Sequence, residues 1–306
     1  MIHTNKKGEW CELVIPAEWE NYTLETLFKD FWKAPKKLVH LLRTEKNVLI
    51  NGHVPDWTLP LKKNDRLSMK LFTEEEQTFS PEYLNVDIVY EDEHLIVFNK
   101  PAGMDTHPNV SGQGGTLANA AAFHMQSNGE ANRPRHIHRL DRETTGAVLF
   151  AKNPLITAIL DKMLEERKIK RTYLAMADGM IHQKKGTINK PIGRDRHHPT
   201  RRRVSETGQQ AITHFKVMDK IKHKNLTLVQ CSLDTGRTHQ IRVHFSEIGH
   251  PLAGDTLYGG SDTFHRQALH AVKMEFTHPF TREEIICHAP FIDQPTIFIN
   301  IDPYEI

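Results

Sequence analysis

The sequence predicts an α+β protein in which a small N-terminal α/β unit precedes a larger domain built on a mainly antiparallel, mixed sheet. Three observations support this fold class. The chain has 306 residues, about twice a typical ~150-residue domain. Short β-rich runs outnumber helical patterns after residue 85. An acidic segment at residues 74–81 ends in Ser-Pro and separates the two parts. We therefore place the N-terminal unit with its linker at residues 1–80 and the larger domain at residues 81–306.

Two helices and a hairpin are predicted in the N-terminal unit. Apolar side chains recur three and four residues apart from Leu24 to Phe31, which predicts a helix that ends before Pro35. A second helix is predicted over residues 36–42. The Asn-Gly pair at residues 51–52 predicts a tight turn between two short strands.

The larger domain is predicted to contain many short strands and few helices. A helix capped by Thr116 runs to residue 122, and an amphipathic helix covers residues 154–166. The predicted strands lie at residues 85–90, 94–99, 147–151, 170–175, 210–218, 226–233 and 240–245.

Composition excludes several classes of protein. With 38% hydrophobic and 25% charged residues, the chain is neither disordered nor fibrous. It has no apolar run long enough for a membrane span and no secretory signal, so we expect a cytoplasmic protein without membrane contact. The cysteines Cys11, Cys231 and Cys287 form no CxxC pair, which favours buried thiols over disulfides or a zinc site.

Charge is unevenly distributed, although the net charge is only +2. Residues 74–93 are acidic. Basic clusters occur at residues 29–46, 133–142, 162–171 and 194–203. Clustered basic side chains neutralise phosphates, so together they indicate nucleic-acid binding, whereas any single cluster is equally a solvated face.

A dense polar constellation at residues 136–146 precedes a predicted buried strand. Its carboxylate, Asp141, is surrounded in sequence by His138, Arg139 and Arg142, an arrangement that keeps it ionised. An anionic group in a cationic loop is a candidate nucleophile or base. A surface ion-pair cluster is the alternative interpretation.

A second constellation occupies residues 234–244. We interpret residues 240–245 as a strand, with Arg237 and His239 on one face and Arg242 on the other. The functional interpretations are phosphate binding and pairing of an arginine with a catalytic carboxylate. An exposed edge strand or buried, satisfied histidines are the alternatives.

Metal and nucleotide cofactors are disfavoured. The twenty histidines offer candidate pairs such as His136 with His138 and His197 with His198. No HExxH, zinc-deaminase, P-loop or GxGxxG motif occurs, however.

The string HRLDRETTG at residues 138–146 closely resembles the catalytic motif of the RluA-type pseudouridine synthases. Further family motifs occur before and after this string, in the order typical of the family, and the resemblance covers residues 85 to 295. They are NKPAG at 99–103, KRTYLA at 170–175, GRTHQIRVH at 236–244, PLAGDTLYG at 251–259 and LHA at 269–271. The N-terminal unit resembles a small αL-type RNA-binding domain.

The resemblance implies roles for individual residues. Asp141 is the expected catalytic carboxylate in an isomerisation that detaches uracil and reattaches it through carbon 5. Arg237 is expected to pair with Asp141, Tyr173 to lie against the base, and Leu257 to line the pocket. Arg139 is expected to fill the gap left by the extruded uridine.

The resemblance also implies an RNA partner. Structured RNA, either ribosomal or transfer RNA, is expected to contact a monomer of the protein, and no cofactor or metal is implied. The expected RNA contacts are His138, Arg142, His239, Arg242, Lys36, Lys37 and Arg43. A binding module without activity and a metal-assisted hydrolase are the alternatives.

Overall fold

A computed structural model describes residues 2–130 and 132–306. These residues form two main sheets with helices packed against them, which confirms the predicted α+β class. No helix in the described part of the chain is long and apolar enough to span a bilayer.

The N-terminal sheet has four antiparallel strands in the order β1-β2-β4-β3. They are β1 (Thr4–Lys7), β2 (Trp10–Val14), β3 (Val48–Ile50) and β4 (Arg66–Lys70). The predicted hairpin at residues 51–52 is shorter than expected, since beyond the turn only His53 bridges back to Ile50. The next residues lead into Pro55, which cannot donate to a ladder, and β4 takes the place beside β3.

Two helical segments cover this sheet, as predicted. The first consists of α1 (Leu24–Thr26) and a π-helical turn, Leu27–Phe31. Thr23 caps α1 by accepting a hydrogen bond from the backbone N–H of Thr26. The second segment, α2 (Lys36–Thr44), begins after Pro35.

Within the described residues, the large sheet contains ten strands, and only one pair of them is parallel. The central order is β10-β13-β14-β9-β15-β8-β6-β5, with β16 beside β15 and β7 beside β8. The strands are β5 (Asp87–Glu91), β6 (Leu95–Lys100), β7 (Arg135–His136), β8 (Thr145–Ala151), β9 (Lys170–Asp178), β10 (Lys185–Asn189), β13 (Ile212–Ile221), β14 (Leu226–Leu233), β15 (Leu269–Thr277) and β16 (Glu284–His288). A separate small hairpin pairs β11 (Ile192–Arg194) with β12 (Arg202–Val204).

Three helices complete the larger domain: α3 (Leu117–Ser127), α4 (Pro154–Glu165) and α5 (Gln240–Glu247). The strand predicted at residues 240–245 is wrong, because this segment is α5. His239 enters it with φ 59°, outside the extended region. The Gln240 side chain then accepts a hydrogen bond from the backbone N–H of Arg237 at 3.0 Å, which closes the turn.

One hydrophobic cluster extends from the N-terminal sheet into the large sheet. The Trp32 ring lies 5.3 Å from that of Phe280. The acidic linker is also attached, because Glu75 pairs with Arg135 at 2.6 Å. The two predicted domains therefore pack as neighbours around shared apolar side chains.

Candidate active site

A cavity of about 590 Å³ opens where four segments of the larger domain meet. Its walls come from the loop at residues 136–144, the end of α4 with the residues after it, the start of β9 and the segment at residues 233–242. Asp141, Tyr173, Arg139, Arg237, His239 and Arg242 all line it. The structure thus brings together most of the residues that the two sequence constellations singled out.

Asp141 is held by Arg242, which donates from Nη1 to its Oδ2 at 3.1 Å. The guanidinium is fixed in turn by Asp255, through Nε to Oδ2 at 2.6 Å and Nη2 to Oδ1 at 2.9 Å. Despite the cost of burial, the hydrogen bonds and charges of Asp255 and Asp141 raise the pKa of Arg242, which remains a cation. A two-point clamp of this kind fixes both the position and the orientation of the arginine.

The predicted pairing of Arg237 with Asp141 is wrong. Arg237 is exposed, and its Nε donates to the backbone oxygen of Gln210 at 3.1 Å. The reason is that residues 240–247 coil into α5, which directs Arg242 rather than Arg237 toward the carboxylate. Nothing in the sequence indicated that Arg242 pairs with Asp255, because only the folded chain brings these two side chains together.

His239 is the second group near the carboxylate, with its Nε2 3.9 Å from Asp141 Oδ2. Its Nδ1 shares a hydrogen bond of 2.8 Å with the hydroxyl of Tyr258. Burial lowers the pKa of His239, and Asp141 only partly opposes this shift. A neutral imidazole therefore stands beside Asp141.

Tyr173 lies on β9 and is only 4% exposed. Burial is the largest cause of the raised pKa of its phenol, which is neutral at physiological pH. The negative charge of Asp141 acts in the same direction, while the cation Arg171 opposes it. An uncharged aromatic ring with a polar tip thus faces the cavity.

Two buried basic side chains that the sequence analysis did not select shape the loop after Asp141. Lys100 donates from Nζ to the backbone oxygens of Met104 at 2.7 Å, Pro101 at 2.8 Å and Arg142 at 3.0 Å. Burial lowers its pKa to about 7, against the opposing effect of the nearby carboxylates, Asp141 foremost.

The second is Arg266, whose side chain is fully buried. Its Nη2 lies 2.6 Å from Oδ2 of Asp293. It also donates to the backbone oxygen of Glu143 at 3.2 Å and to the hydroxyl of Thr145 at 2.9 Å. Lys100 and Arg266 therefore hold consecutive residues of the loop from two sides.

Gly146 explains how this loop enters the sheet. It adopts φ 112°, and an added Cβ would lie 2.3 Å from the backbone oxygen of Ala271. Only glycine fits here, where β8 meets β15 in parallel pairing.

His138, expected to contact RNA, is among the residues that line the cavity, but it is largely buried. Its Nε2 accepts a hydrogen bond from the backbone N–H of Leu149 at 3.2 Å. Burial holds its pKa well below the usual range, so this histidine is a neutral structural group.

Arg139 and Arg142 are both exposed, as a contact with RNA requires. Only Arg139 lies on the cavity wall. Arg142 turns toward Asp105 and Glu143, at 3.9 Å and 3.7 Å, and stands outside the cavity.

Leu257 does not line this cavity, contrary to expectation. It belongs to a short 3₁₀ helix, Thr256–Tyr258, and packs with Val204 and Val243. There it borders a neighbouring cavity together with the basic residues 201–203. Its neighbour Tyr258 does contribute indirectly, through the hydrogen bond to His239.

Lys36, Lys37 and Arg43 lie exposed on α2, outside the cavity. Arg43 pairs with Glu25 at 3.0 Å. Across residues 2–130 and 132–306, no group of three or more histidine, cysteine or acidic side chains is arranged to hold a metal ion.

Comparison with known proteins identifies the class. A family model described as RNA pseudouridylate synthase matches residues 94–247. A second, described as RluD ribosomal pseudouridine synthase N-terminal domain, matches residues 11–67. Both models describe enzymes that isomerise uridine in RNA.

Relatives narrow the class further. The uncharacterized RNA pseudouridine synthase YhcT of Bacillus subtilis is 49% identical, over 94% of this chain and 95% of its own length. The ribosomal large subunit pseudouridine synthase D of Nitrosomonas europaea is 41% identical, over 72% of this chain and 66% of its own. The chain belongs to the RluA-type family of RNA pseudouridine synthases, which are isomerases.

A solved structure agrees with this assignment. Human RNA pseudouridylate synthase domain containing 1 is 27% identical and superposes with a TM-score of 0.56, covering 68% of this chain and 85% of that protein.

Proposed function

We propose that this enzyme isomerises uridines in structured RNA of the large ribosomal subunit, with Asp141 as its catalytic carboxylate. The observation that carries the proposal is the chain of ion pairs from Asp255 through Arg242 to Asp141 at the floor of the cavity. The names of relatives such as the Nitrosomonas europaea enzyme support ribosomal RNA over transfer RNA.

The reaction breaks the bond between uracil N1 and ribose C1′ and forms a bond from C1′ to carbon 5. Asp141 either adds to C1′ or removes the proton at C2′. Both routes require an ionised, oriented carboxylate. Arg242 supplies these conditions, since a guanidinium stays charged and Asp255 prevents its rotation.

Tyr173 is proposed to lie against the detached uracil, with its neutral hydroxyl near the place where carbon 5 loses its proton and N1 gains one. Its ring is buried and neutral, so it offers an apolar face to the base. Retention of the base during its rotation requires a cavity that excludes water.

The exposed basic side chains are proposed to contact RNA around the cavity. A uridine inside a helix cannot reach Asp141 and must be flipped out. Arg139, which is exposed on the cavity wall, is proposed to occupy the gap, and Arg237, Arg142 and the basic face of α2 are proposed to contact phosphates.

Tritium release from RNA labelled at uridine carbon 5 tests the proposal. The substrates are unmodified large-subunit ribosomal and transfer RNA transcripts, compared for the parent and Asp141→Asn. Release from the ribosomal transcript by the parent alone is expected. Release by Asp141→Asn at the parental rate overturns the role of Asp141, and RNA binding without any release leaves a binding module.

A further inference from the structure

The loop at residues 105–107 is clasped to the segment that carries Arg139. Thr106 Oγ1 donates to the backbone oxygen of Leu140 and accepts from its N–H, both at 3.1 Å. On one side of this clasp, Asp105 faces Arg142 at 3.9 Å. On the other side, the positive charge of Arg139 acts on His107.

His107 and His136 form a parallel stack, named here the histidine stack. Their ring centroids are 4.4 Å apart and the planes differ by only 6°. Behind His136 stands the fully buried ring of Phe150, edge-on at 6.2 Å. A column of three rings therefore runs outward from the buried Phe150. His136 lines the Asp141 cavity, and His107 lies beside it, outside the cavity wall.

His107 is the outermost ring of this column. It is half-buried, and in the described part of the chain no further aromatic ring contacts its other face. Its buried Nδ1 has no hydrogen-bond partner among residues 2–130 and 132–306. Stacking on His136, rather than a hydrogen bond, therefore fixes this ring.

Both imidazoles are uncharged at physiological pH. Burial lowers the pKa of His136 to about 4, and burial and Arg139 lower that of His107. Neutral rings can stack face to face without repulsion. Each ring also presents a π surface, on which any of the four nucleobases can stack.

We propose that the outer face of His107 is a stacking subsite for a nucleobase of the RNA next to the uridine that enters the Asp141 cavity, an inference that rests on the proposed function. A flipped uridine leaves its neighbours without a stacking partner. His107 supplies that stacking partner beside Arg139, and the RNA base becomes the next ring after Phe150, His136 and His107.

Opposed substitutions test this subsite. His107→Phe keeps the ring and removes the nitrogens, whereas His107→Asn keeps a polar group near the position of Nδ1 and removes the ring. The readout is tritium release from the unmodified large-subunit ribosomal transcript. His223→Ala is the control, since His223 is exposed at the far end of the β13–β14 hairpin from Tyr173.

His107→Asn is expected to raise KM about tenfold with kcat changed by less than about threefold, because base stacking contributes to binding. His107→Phe is expected to keep KM within about threefold of the parent. The salt dependence of binding stays the same in both variants, since stacking releases no counterions. Should His107→Asn unfold, His107→Gln replaces it.

The reverse order, with His107→Phe impaired and His107→Asn intact, assigns His107 a hydrogen-bonding role and overturns the subsite. Equal KM values for all variants overturn it as well. If the parent releases no tritium, the proposed function fails separately. Equilibrium binding of the same transcript then decides, because weaker binding by His107→Asn alone supports the subsite and equal affinities overturn it.

Discussion

The N-terminal sheet and the loop around Asp141 are held in place by different forces. Aromatic rings fill the first, where Trp32 packs edge-on against Trp19 at 5.7 Å and Phe28 at 4.9 Å. The loop is instead fixed by the buried side chains of Lys100 and Arg266, which donate to its backbone oxygens. Apolar packing is non-directional, whereas hydrogen bonds fix individual atoms. Substitutions in the first region should therefore change stability or affinity, and those around Asp141 should change rate.

The largest effect is expected at Asp141. Asp141→Asn should lower kcat by at least about 10⁴-fold, or ~5.4 kcal/mol, because the neutral amide can neither attack nor accept a proton. RNA affinity should stay within a few-fold, since one charge of many changes. Single-turnover tritium release and filter binding measure the two quantities, with the exposed Asp219→Asn as control.

Parallel substitutions of Arg242 and Arg237 test which arginine holds the carboxylate of Asp141. Arg242→Gln should lower kcat about 10²–10³-fold, because the carboxylate loses its buried cation. Arg237→Gln should change mainly KM, by a few-fold. Unfolding temperatures verify that both variants fold. A larger loss of kcat in Arg237→Gln would restore the pairing predicted from the sequence.

Trp32→Ala should reveal the strength of the aromatic packing. Loss of a fully buried tryptophan costs about 3–5 kcal/mol of unfolding free energy. Val14→Ala on the exposed side of β2 is the control, with an expected change within ~0.5 kcal/mol. Urea denaturation gives both values, and similar losses would contradict the view that the packing is concentrated at Trp32.

His94 lies at the junction between the N-terminal sheet and the large sheet and makes this junction sensitive to pH. It is buried, its Nε2 lies 3.2 Å from Thr4 Oγ1, and burial lowers its pKa to about 3. In the unfolded state this histidine binds a proton near pH 6.5, whereas in the folded state it stays neutral. The free energy of unfolding therefore decreases as the pH falls below about 6.5.

The expected contribution of His94 is about 2 kcal/mol between pH ~7 and pH ~5. His94→Gln should remove this part of the pH dependence of unfolding, while the other buried histidines contribute equally to parent and variant. Identical slopes of unfolding free energy against pH would contradict the assignment.

The smallest effect is expected on α2. Replacing both Lys36 and Lys37 by Glu should weaken RNA binding by about 1–2 kcal/mol and reduce its salt dependence, with kcat unchanged. Salt titrations of RNA affinity measure this, and replacing both Lys222 and Lys224 by Glu, exposed in the turn between β13 and β14, is a charge-matched control. Equal affinities for both variants would mean that α2 makes no RNA contact.

Local patterns predicted much of the fold. The apolar spacing from Leu24 to Phe31, the cap at Thr116 and the Asn-Gly turn all correspond to observed features. Strand β2 was missed although Cys11 and Leu13 alternate toward the core. Residues 240–245 were misassigned because their alternation fits a strand, while the Gln240 side chain and the backbone of His239 favour a helix.

The site was predictable only in part, for a related reason. Motifs marked Asp141 and Tyr173, and both line the cavity. The partners that hold the loop come from distant parts of the chain, such as Lys100 for Arg142 and Arg266 for Glu143. No sequence spacing encodes such pairs, because they depend on which strands of the large sheet become neighbours.

The shared hydrophobic cluster holds the N-terminal unit in a fixed position relative to the large sheet. Since Trp32 is packed against Phe280, α2 cannot swing on a tether to search for RNA. Under the proposed function, an RNA bound to α2 would present to Asp141 only the uridines at a fixed distance and direction from that contact. The enzyme would then select its target by the shape of the folded RNA rather than by its base sequence.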